Sequence, residues 1–371
     1  MTDRLLCIVQ LPPPTHGVTV VNEIVVASAE LHRAFDVDVL PLRFAASIDA
    51  LGKTSLRKIA LGLRVGAELA LKLASKRYAA VYMTLTPEGA AFLRDSIYVL
   101  IARAFGARRI FHLHSGGIAT QIERSIWRRA LFEWVFDGAS VIQLSPSLRA
   151  DTIDVVPEDR TRYVANGIGD VSLARRVAGE SRVLYLSNML REKGALVLLD
   201  ALVTLARRGV HFTATFAGAR SDDGCVDEFQ AAVAREGLDG KIRYVGPVDV
   251  DAKLQLFADH DLVVFPSYRD AFPLVPIEAM RHGLPVIASD TGAVAEIVEH
   301  DITGFVVPPR DPIALADRIA CLLADPALAN RMGKAGRARY LERFTAKQFE
   351  TQLVKTLREI VSSAPSRRAR V

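Results

Sequence analysis

Short apolar segments alternate with longer segments of helical periodicity along almost the whole chain, and this alternation limits the fold more than any other feature. Continuous apolar runs are typical of strands buried on both faces of a sheet. When helices separate such strands, the strands lie parallel and the helices cover both faces. The predicted strands are Leu5–Leu11, Val37–Leu42, Ala80–Leu85, Arg109–His114, Ser140–Leu144, Arg162–Ala165, Val183–Ser187, His211–Ala217, Ile242–Val245, Leu262–Phe265 and Pro285–Ala288.

The length of the chain favours two domains over one. Its 371 residues exceed the size of most single hydrophobic cores. The strands therefore predict two Rossmann-like α/β domains, 1–170 and 171–345, that face each other across a cleft, because ligands of such sheets bind at the carboxyl ends of the strands. Residues 346–371 are predicted as a helix that returns to the first domain, followed by a basic tail.

Composition places the chain among globular proteins, with 50% hydrophobic and 24% charged residues. No apolar run has the length of a membrane span, and the N-terminus lacks a signal-peptide layout, so a cytoplasmic location is expected. The three isolated cysteines fit buried thiols in a reducing compartment. The net charge of +5 favours phosphates or an anionic membrane surface as partners. A nucleic-acid partner is not expected.

The segment DLVVFPSYRDAFPLVPIEAM (261–280) places two carboxylates around the start of a helix. Pro276 suits a first helical turn, where its missing N–H would have been unpaired anyway. Asp270 precedes the helix and Glu278 lies within it, so a ligand with an anionic middle and hydroxyls at both ends would fit, as in a nucleoside diphosphate sugar. The backbone N–H groups that would face the anion are those of Phe272, Leu274 and Val275.

A second polar loop, NMLREKG (188–194), lies between the strand 183–187 and a predicted helix over 195–208. Arg191 and Lys193 could hold a diphosphate there by charge-assisted hydrogen bonds. The alternative is a solvated helix start, in which Gly194 is only a turn residue.

These motifs resemble those of the family 4 glycosyltransferases, which are retaining enzymes of the GT-B fold. That family carries two glutamates separated by seven residues, then Ala-Met and a Gly-x-Pro-Val strand. Here the corresponding segments are DAFPLVPIEAM (270–280) and HGLPVIASD (282–290), followed by TGAVAE (291–296) and TGFVVPP (303–309). The loop 188–194 matches a Gly-Arg-Leu-x-x-Glu-Lys-Gly pattern, and ANGI (165–168) matches the Asn-Gly that precedes the interdomain linker. The resemblance covers the second half of the chain well and the first half more loosely.

The resemblance implies a role for each matching residue. Glu278 would bind the ribose hydroxyls, and Asp270 would contact hydroxyls of the transferred sugar. Lys193 would neutralise the diphosphate together with the amides of 272–275, and Gly246, in the segment 245–248, would lie against the base. The implied reaction moves a sugar to an acceptor hydroxyl of a glycan or lipid-linked molecule. No metal ion or other cofactor is expected, because fixed positive groups would stabilise the leaving group.

Two positions depart from the family pattern. Asp270 stands where the family has glutamate, so its reach to the sugar is shorter by about one C–C bond. Asn188 stands where the family has arginine, which removes a bidentate cation; Arg191 is the candidate replacement.

Other interpretations of the same residues remain open at this level. Asp270 alone could be a helix cap, and Glu278 alone a surface acid, since exposed acids are common. A nucleotide-sugar epimerase is an alternative enzyme on the same fold. A non-catalytic module that binds sugar nucleotides is an alternative from another class. A dinucleotide dehydrogenase is disfavoured because no Gly-x-Gly-x-x-Gly follows the first strand.

The first half offers two further candidate sites. Gly17 ends the loop QLPPPTHG (10–17) before a predicted helix over 18–32, and it would let the backbone approach a ligand closely. The strand end IFHLHSGG (110–117) puts two histidines on one face. No third ligand has metal-site spacing. The family places a histidine at such a strand end, pointing at the donor sugar, and His114 is the best match; His112 and His16 are weaker candidates.

The segment Lys53–Arg77 contains seven basic residues and one acid, Glu68. On a helical wheel its apolar residues 56, 59, 63, 70 and 73 share one face. Such a helix could lie on anionic lipid. It could equally be an amphipathic crossover helix with a solvated basic face.

Overall fold

The computed structural model describes residues 2–44, 55–171, 181–221 and 223–363. The chain divides into two compact units. Unit 1 comprises Met1–Ile168 and Ala346–Val371, and unit 2 comprises Gly169–Thr345. The predicted domain seam, 169–182, and the basic tail lie largely outside the described residues.

Unit 1 is built on a parallel sheet of six strands, in the order β2-β1-β3-β4-β5-β6. The chain moves to one side of β1 for β2 and to the other side for β3, so the sheet has a switch point between β1 and β3. The strands are β1 Arg4–Gln10, β2 Asp36–Leu42, β3 Ala80–Thr84, β4 Arg109–Leu113, β5 Ser140–Gln143 and β6 Thr161–Tyr163.

Helices connect these strands, as the alternation predicts. The described helices of unit 1 are α1 Gly17–Ala27, α2 Ala29–Ala34, α3 Leu56–Ser75, α4 Gly89–Ala104, α5 Ile118–Glu123, α6 Ile126–Phe136 and the C-terminal α14 Ala346–Ser362.

The single helix predicted over 18–32 is wrong, because the chain breaks into α1 and α2 at Ser28. Ser28 has an extended backbone, and its hydroxyl accepts a hydrogen bond from the Leu31 N–H as the cap of α2. The same hydroxyl donates to Glu350 of α14 at 2.6 Å. A serine in such a position competes for backbone partners, which favours a helix start over a helix interior.

The apolar face predicted for α3 is not the face that packs on the sheet. Val65 and Leu69 are buried, whereas Leu56 is 86% exposed and Leu63 is 65% exposed. Periodicity identified the helix but does not show which of its apolar residues meet the sheet, since α3 carries leucines on more than one side. Lys53 lies outside the described residues.

Helix α14 packs within unit 1. Its first residue donates a backbone hydrogen bond to the Ile168 carbonyl at 2.8 Å, and the Phe349 ring lies 6.4 Å from that of His112. At its other end, Arg108 donates hydrogen bonds to the carbonyl of Val361, in the last turn, and to that of Ser363, just after the helix.

Unit 2 contains a second parallel sheet of six strands, in the order β12-β11-β10-β7-β8-β9. The prediction of two parallel α/β sheets is confirmed. The switch point lies between β7 and β10, the two central strands. The strands are β7 Arg182–Leu186, β8 Thr213–Ala217, β9 Ile242–Tyr244, β10 Leu262–Phe265, β11 Val286–Ser289 and β12 Gly304–Val307.

Among the described strands, β12 is the one absent from the predicted set. It is a short run that begins with a glycine and ends before two prolines, a pattern typical of a loop. Gly304 permits the pairing, because a Cβ there would lie 1.9 Å from the Val286 carbonyl oxygen. The described helices of unit 2 are α7 Ala195–Arg207, α8 Cys225–Arg235, α9 Val250–Asp259, α10 Leu274–Arg281, α11 Val294–Ile297, α12 Pro312–Ala324 and α13 Pro326–Arg343.

Candidate functional site

The two polar loops of the sequence follow neighbouring strands of unit 2. The loop 188–194 follows β7, and the loop 266–273 follows β10, so both leave the carboxyl edge of the sheet at its switch point. Ligands of open α/β sheets bind at that place. The sheet order therefore brings Lys193 and Asp270 to one position, although 77 residues separate them along the chain.

Backbone hydrogen bonds fasten the two loops to each other. The Tyr268 N–H donates to the Glu192 carbonyl at 3.0 Å, and the Ser267 hydroxyl donates to the same oxygen at 3.2 Å. An ion pair at 3.2 Å joins Arg269 to the Glu192 carboxylate. Lys193 and Asp270 therefore lie on two loops that are hydrogen-bonded to each other.

Gly194 allows this close approach. Its φ is +76°, and a Cβ there would lie 2.1 Å from the Pro266 carbonyl oxygen. Gly194 is therefore required by two independent features: a left-handed backbone and a neighbouring backbone that leaves no room for a side chain.

Replacing Gly194 by alanine is expected to destabilise unit 2 strongly. Gly209, just after the other end of α7, is a matched control, because its φ is +75° and no atom lies within 4 Å of a Cβ there. We expect Gly209→Ala to cost about 1–2 kcal/mol, the usual penalty of a left-handed alanine. Gly194→Ala should cost clearly more, about 3 kcal/mol or above, because the backbone must also move. Denaturant unfolding measures both, and equal costs would contradict the close packing.

Lys193 and Asp270 form an ion pair at the centre of the site. Lys193 Nζ lies 2.7 Å from Asp270 Oδ2 and also donates to the Arg269 carbonyl at 3.0 Å. Both side chains are mostly shielded from solvent, with exposed fractions of 20% and 23%. Lys193 is thus not a solvated residue at a helix start.

Helix α10 begins four residues after Asp270 and points its N-terminus at this edge. Pro276 lies in the first turn, as predicted, and Pro273 at the cap position provides no side-chain cap. Asp270 therefore does not cap the helix. Within the described part of the chain, the backbone N–H groups of Phe272, Leu274 and Val275 have no hydrogen-bond acceptor. Such groups, with the helix dipole, favour an anion.

Glu278 lies on the second turn of α10 and is buried, with 8% of its surface exposed. Its Oε1 is 2.6 Å from Nζ of Lys253, which projects from α9. Glu278 is therefore not the exposed surface acid that the alternative interpretation of this residue predicts. Lys253 is a candidate site residue that the sequence motifs do not reveal.

A turn at Gly292 packs against the loop that carries Asp270. Gly292 has a φ of +54°, and a Cβ there would lie 2.2 Å from the Asp270 carbonyl oxygen. The next residue, Ala293, donates a backbone hydrogen bond to Ala271 at 2.8 Å. The segment TGAVAE therefore fixes the loop that carries Asp270.

Arg191 and Asn188 are engaged elsewhere on the loop. The Arg191 guanidinium pairs with Glu228 of α8 at 2.5 Å, and its backbone N–H donates to Asp223. The Asn188 side-chain oxygen accepts from the Ala219 N–H at 3.4 Å. Among the described residues, no hydrogen bond or ion pair joins the Arg191 side chain to Lys193 or Asp270.

The remaining predicted donor contacts lie nearby in unit 2. Gly246 follows β9 with a φ of +76°, and its carbonyl accepts from the Gly218 N–H at 2.8 Å. Phe272 is buried, and its ring lies 6.4 Å from that of Phe344. Leu274 and Val275 are half-buried at the start of α10.

In unit 1, His114 directly follows β4 and lines a cavity, together with His16. Both ring nitrogens of His114 are buried without a well-formed hydrogen bond to any described residue. Burial lowers the pKa of His114 to about 3, so the ring is neutral at pH 7. Gly17 is the exposed first residue of α1.

His112 belongs to the core instead. It is fully buried, and its Nδ1 lies 2.7 Å from the Tyr82 hydroxyl. Over the described ranges, no three His, Cys, Asp or Glu side chains are grouped so that they could hold a metal ion. In the same ranges, every helix is too short or too polar to cross a membrane.

Comparison with known proteins adds to this geometry. Residues 175–339, within unit 2, match the model of the family described as glycosyl transferases group 1. The match lies within unit 2 and does not extend into unit 1.

Curated relatives agree with the family. The chain is 30% identical to glycogen synthase of Mycobacterium tuberculosis over 239 residues, which are 62% of this chain and 56% of that protein. It is 33% identical to D-inositol 3-phosphate glycosyltransferase of Nocardia farcinica over 193 residues, 49% of this chain and 42% of that protein. The chain spans about half the length of the curated relatives it matches.

Solved structures show the fold. Anabaena HepE in complex with UDP matches with a TM-score of 0.76 at 20% identity, covering 96% of this chain and 100% of that one. Sucrose-phosphate synthase from Thermosynechococcus elongatus matches with a TM-score of 0.73 at 22% identity, covering 98% and 100%. The chain has the GT-B fold, as the resemblance implied.

Proposed function

We propose that the protein is a retaining glycosyltransferase of the family 4 type, which moves a hexosyl group from a nucleoside diphosphate sugar to an acceptor hydroxyl. One observation carries this proposal: the Lys193–Asp270 pair and the buried Glu278 flank the open N-terminus of α10. Such a site offers positive groups at its centre and a carboxylate on each side. A diphosphate with a sugar at each end has the complementary pattern.

Stabilisation of the departing diphosphate is the main chemical task. An ammonium has three N–H donors, and Lys193 uses two of them, on Asp270 and on the Arg269 carbonyl. The third is available to a phosphate oxygen. The α10 amides add donors that are already oriented, which is the arrangement that stabilises developing negative charge most effectively.

Asp270 and Glu278 would bind the two sugars of the donor. Asp270 would accept hydrogen bonds from hydroxyls of the transferred sugar, next to the reacting carbon, while the paired Lys193 holds it in place. Glu278 would accept from the ribose hydroxyls. The acceptor would attack from the face that the leaving group vacates, and the diphosphate would take the acceptor proton, so the configuration is retained.

No metal ion has a role in this proposal. The charge of the leaving group is met by Lys193 and the helix amides, which do what a bound cation does in other transferases. The acceptor would be a growing surface polysaccharide, a lipopolysaccharide or a lipid-linked oligosaccharide. The enzyme would work in the cytoplasm, with peripheral attachment to the inner face of the membrane.

Binding and transfer can be tested with UDP-glucose first, since the neighbour HepE is known in complex with UDP-glucose, and then with other nucleotide sugars. A true donor at about 100 times its Kd should stabilise the folded protein by about 2.7 kcal/mol and raise the melting temperature by a few degrees. Proton NMR of the product should show the anomeric configuration of the donor.

The rival functions give different results in the same assay. An epimerase would convert the donor without any acceptor. A non-catalytic module would bind the donor but would neither hydrolyse nor transfer it. No stabilisation by any nucleotide sugar, or a product of inverted configuration, would overturn the proposal.

A further inference from the structure

Two pairs of side chains join α9 to α10 in unit 2, with the same spacing on both helices. Lys253 of α9 forms its ion pair with Glu278 of α10 at 2.6 Å. Four residues further along, the Phe257 ring of α9 stacks on the ring of His282, the residue that caps α10, with 4.8 Å between the ring centroids and 13° between the ring planes. Residues four apart share one face of a helix, so the two pairs are consecutive contacts along one interface.

The order of the strands explains why these two helices are neighbours. The chain moves along the sheet in the same direction from β9 to β10 and from β10 to β11. Right-handed crossovers therefore place α9 and α10 on the same face of the sheet, running the same way. The numbering of the pairs, 253 with 278 and 257 with 282, agrees with two parallel helices.

The His282 ring is fixed to the turn of α10 that carries Glu278. Its Nδ1 lies 2.7 Å from the Glu278 carbonyl oxygen, and its backbone N–H donates to the same oxygen at 3.2 Å. Since a carbonyl oxygen only accepts, Nδ1 carries a proton and donates it. The other ring nitrogen, Nε2, is buried without a hydrogen bond to any described residue. The direction of the ring therefore depends on the Nδ1 bond and on the stack with Phe257.

The ring of His282 is neutral at pH 7. Burial is the main cause that lowers its pKa to about 4, and the positive charges of Arg281, Arg337 and Lys253 act in the same direction. A neutral imidazole can pack against a phenyl ring without the cost of removing a charge from water. Phe257 is fully buried, so the stack belongs to the packing between the two helices.

Lys253 depends on this packing for its place beside Glu278. A lysine side chain is flexible and loses much rotamer freedom when it is held in one ion pair. The Lys253 side chain is 28% exposed, and a partly solvated ion pair contributes little energy by itself. The ion pair is therefore too weak to hold two helices together. The stack, one turn further along, supplies a contact that does.

We propose that Phe257 and His282 are positioning residues for nucleotide binding, because their stack holds α9 against α10 and so keeps Lys253 where it orients the Glu278 carboxylate. This inference rests on the proposed function, in which Glu278 binds the ribose hydroxyls. Neither ring is assigned a contact with the nucleotide. Loss of the stack should therefore weaken nucleotide binding and leave the chemical step unchanged.

His282→Ala removes the stack and tests this role. We expect the Kd of the nucleotide sugar, and that of the free nucleoside diphosphate, to rise about three- to tenfold, a factor that corresponds to the energy of one aromatic pair. The value of kcat at saturating donor should not change, because Lys193 and the α10 amides keep their positions. Calorimetric titration and steady-state kinetics measure these effects, with UDP-glucose and UDP as the first ligands and other nucleotide sugars after them.

His282→Phe separates the stack from the hydrogen bond of His282. This variant keeps a ring beside Phe257 but loses the Nδ1 donor. If the stack positions α9, His282→Phe should bind the nucleotide within about twofold of the wild type, the margin within which independent effects add. Equal losses of affinity in His282→Phe and His282→Ala would assign the effect to the Nδ1 bond and overturn the proposal.

Coupling to Lys253 distinguishes positioning from a general loss of stability. In the Lys253→Met background, His282→Ala should hardly change the nucleotide Kd further, because the ammonium that the stack positions is already gone. Residues that act independently would instead give additive losses of affinity. Additive losses would overturn the proposal.

His260 provides a matched control for His282. It caps α9 as His282 caps α10, it is buried, and its Nδ1 lies 2.6 Å from the Leu256 carbonyl oxygen, also four residues earlier. His260→Ala should lower the melting temperature and leave the nucleotide Kd unchanged. Equal losses of affinity in His260→Ala and His282→Ala would mean that any loosening of α9 is sufficient, which would overturn the proposal.

The same titrations separate this inference from the proposed function. If the wild type binds a nucleotide sugar and His282→Ala binds it equally well, the inference fails and the proposed function stands. If the wild type binds no nucleotide sugar, the proposed function fails and the inference fails with it.

Discussion

Replacing Lys193 by alanine is expected to lower kcat for sugar transfer about 10²- to 10³-fold, with a much smaller change in donor KM. Lys193 Nζ is shielded, held 2.7 Å from Asp270, and placed beside the open N-terminus of α10. Removal of one preorganised donor to a developing negative charge costs about that factor in other enzymes. Steady-state kinetics with the identified donor would measure it, after circular dichroism shows that the variant is folded.

Arg191 provides the control for this prediction, because it belongs to the same loop and carries the same charge. Its guanidinium pairs with Glu228 and is half exposed. An exposed pair of this kind contributes little energy. Arg191→Ala should therefore change kcat less than about fivefold. If Arg191→Ala and Lys193→Ala reduced kcat equally, Arg191 would have to swing toward the phosphate when donor binds, and Lys193 would lose its special role.

The strands and the helix that position the site can be predicted from the sequence, because they depend on local signals. Apolar runs locate the strands, and the Pro276 position marks the first turn of α10. Once β7 and β10 are neighbours in a parallel sheet, the loops that follow them must meet. The meeting of Lys193 with Asp270 therefore follows from the order of strands in the sheet.

Other features depend on contacts that the sequence does not encode locally. Lys253 is one of several polar residues on α9, and its role appears only when its ammonium is found beside Glu278. The apolar residues of α3 satisfy helical periodicity, but periodicity does not distinguish a face that meets the sheet from one that lines a cavity. Ser28 ends a helix because of its own hydrogen bonds, within a segment whose periodicity continues.

The second large effect is expected on donor affinity. Glu278→Ala should raise the Kd of the nucleotide sugar about 10- to 100-fold, since hydrogen bonds to a charged group contribute about 1.5–3 kcal/mol each. The free nucleoside diphosphate should lose affinity by a similar factor, because the ribose is common to both ligands. Calorimetric titration of both ligands would measure the loss. Loss of affinity for the sugar nucleotide alone would instead place Glu278 at the transferred sugar.

Lys253 decides whether Glu278 acts alone or as one member of a pair. Lys253→Met keeps most of the side-chain length but removes the ammonium that lies 2.6 Å from the Glu278 carboxylate. If the ammonium orients this buried carboxylate for the ribose, Lys253→Met should weaken donor binding several-fold in the wild type and hardly at all in Glu278→Ala. A double-mutant cycle would show this coupling directly, because independent residues give additive effects. Full additivity would mean that Lys253 does not act on the donor through Glu278.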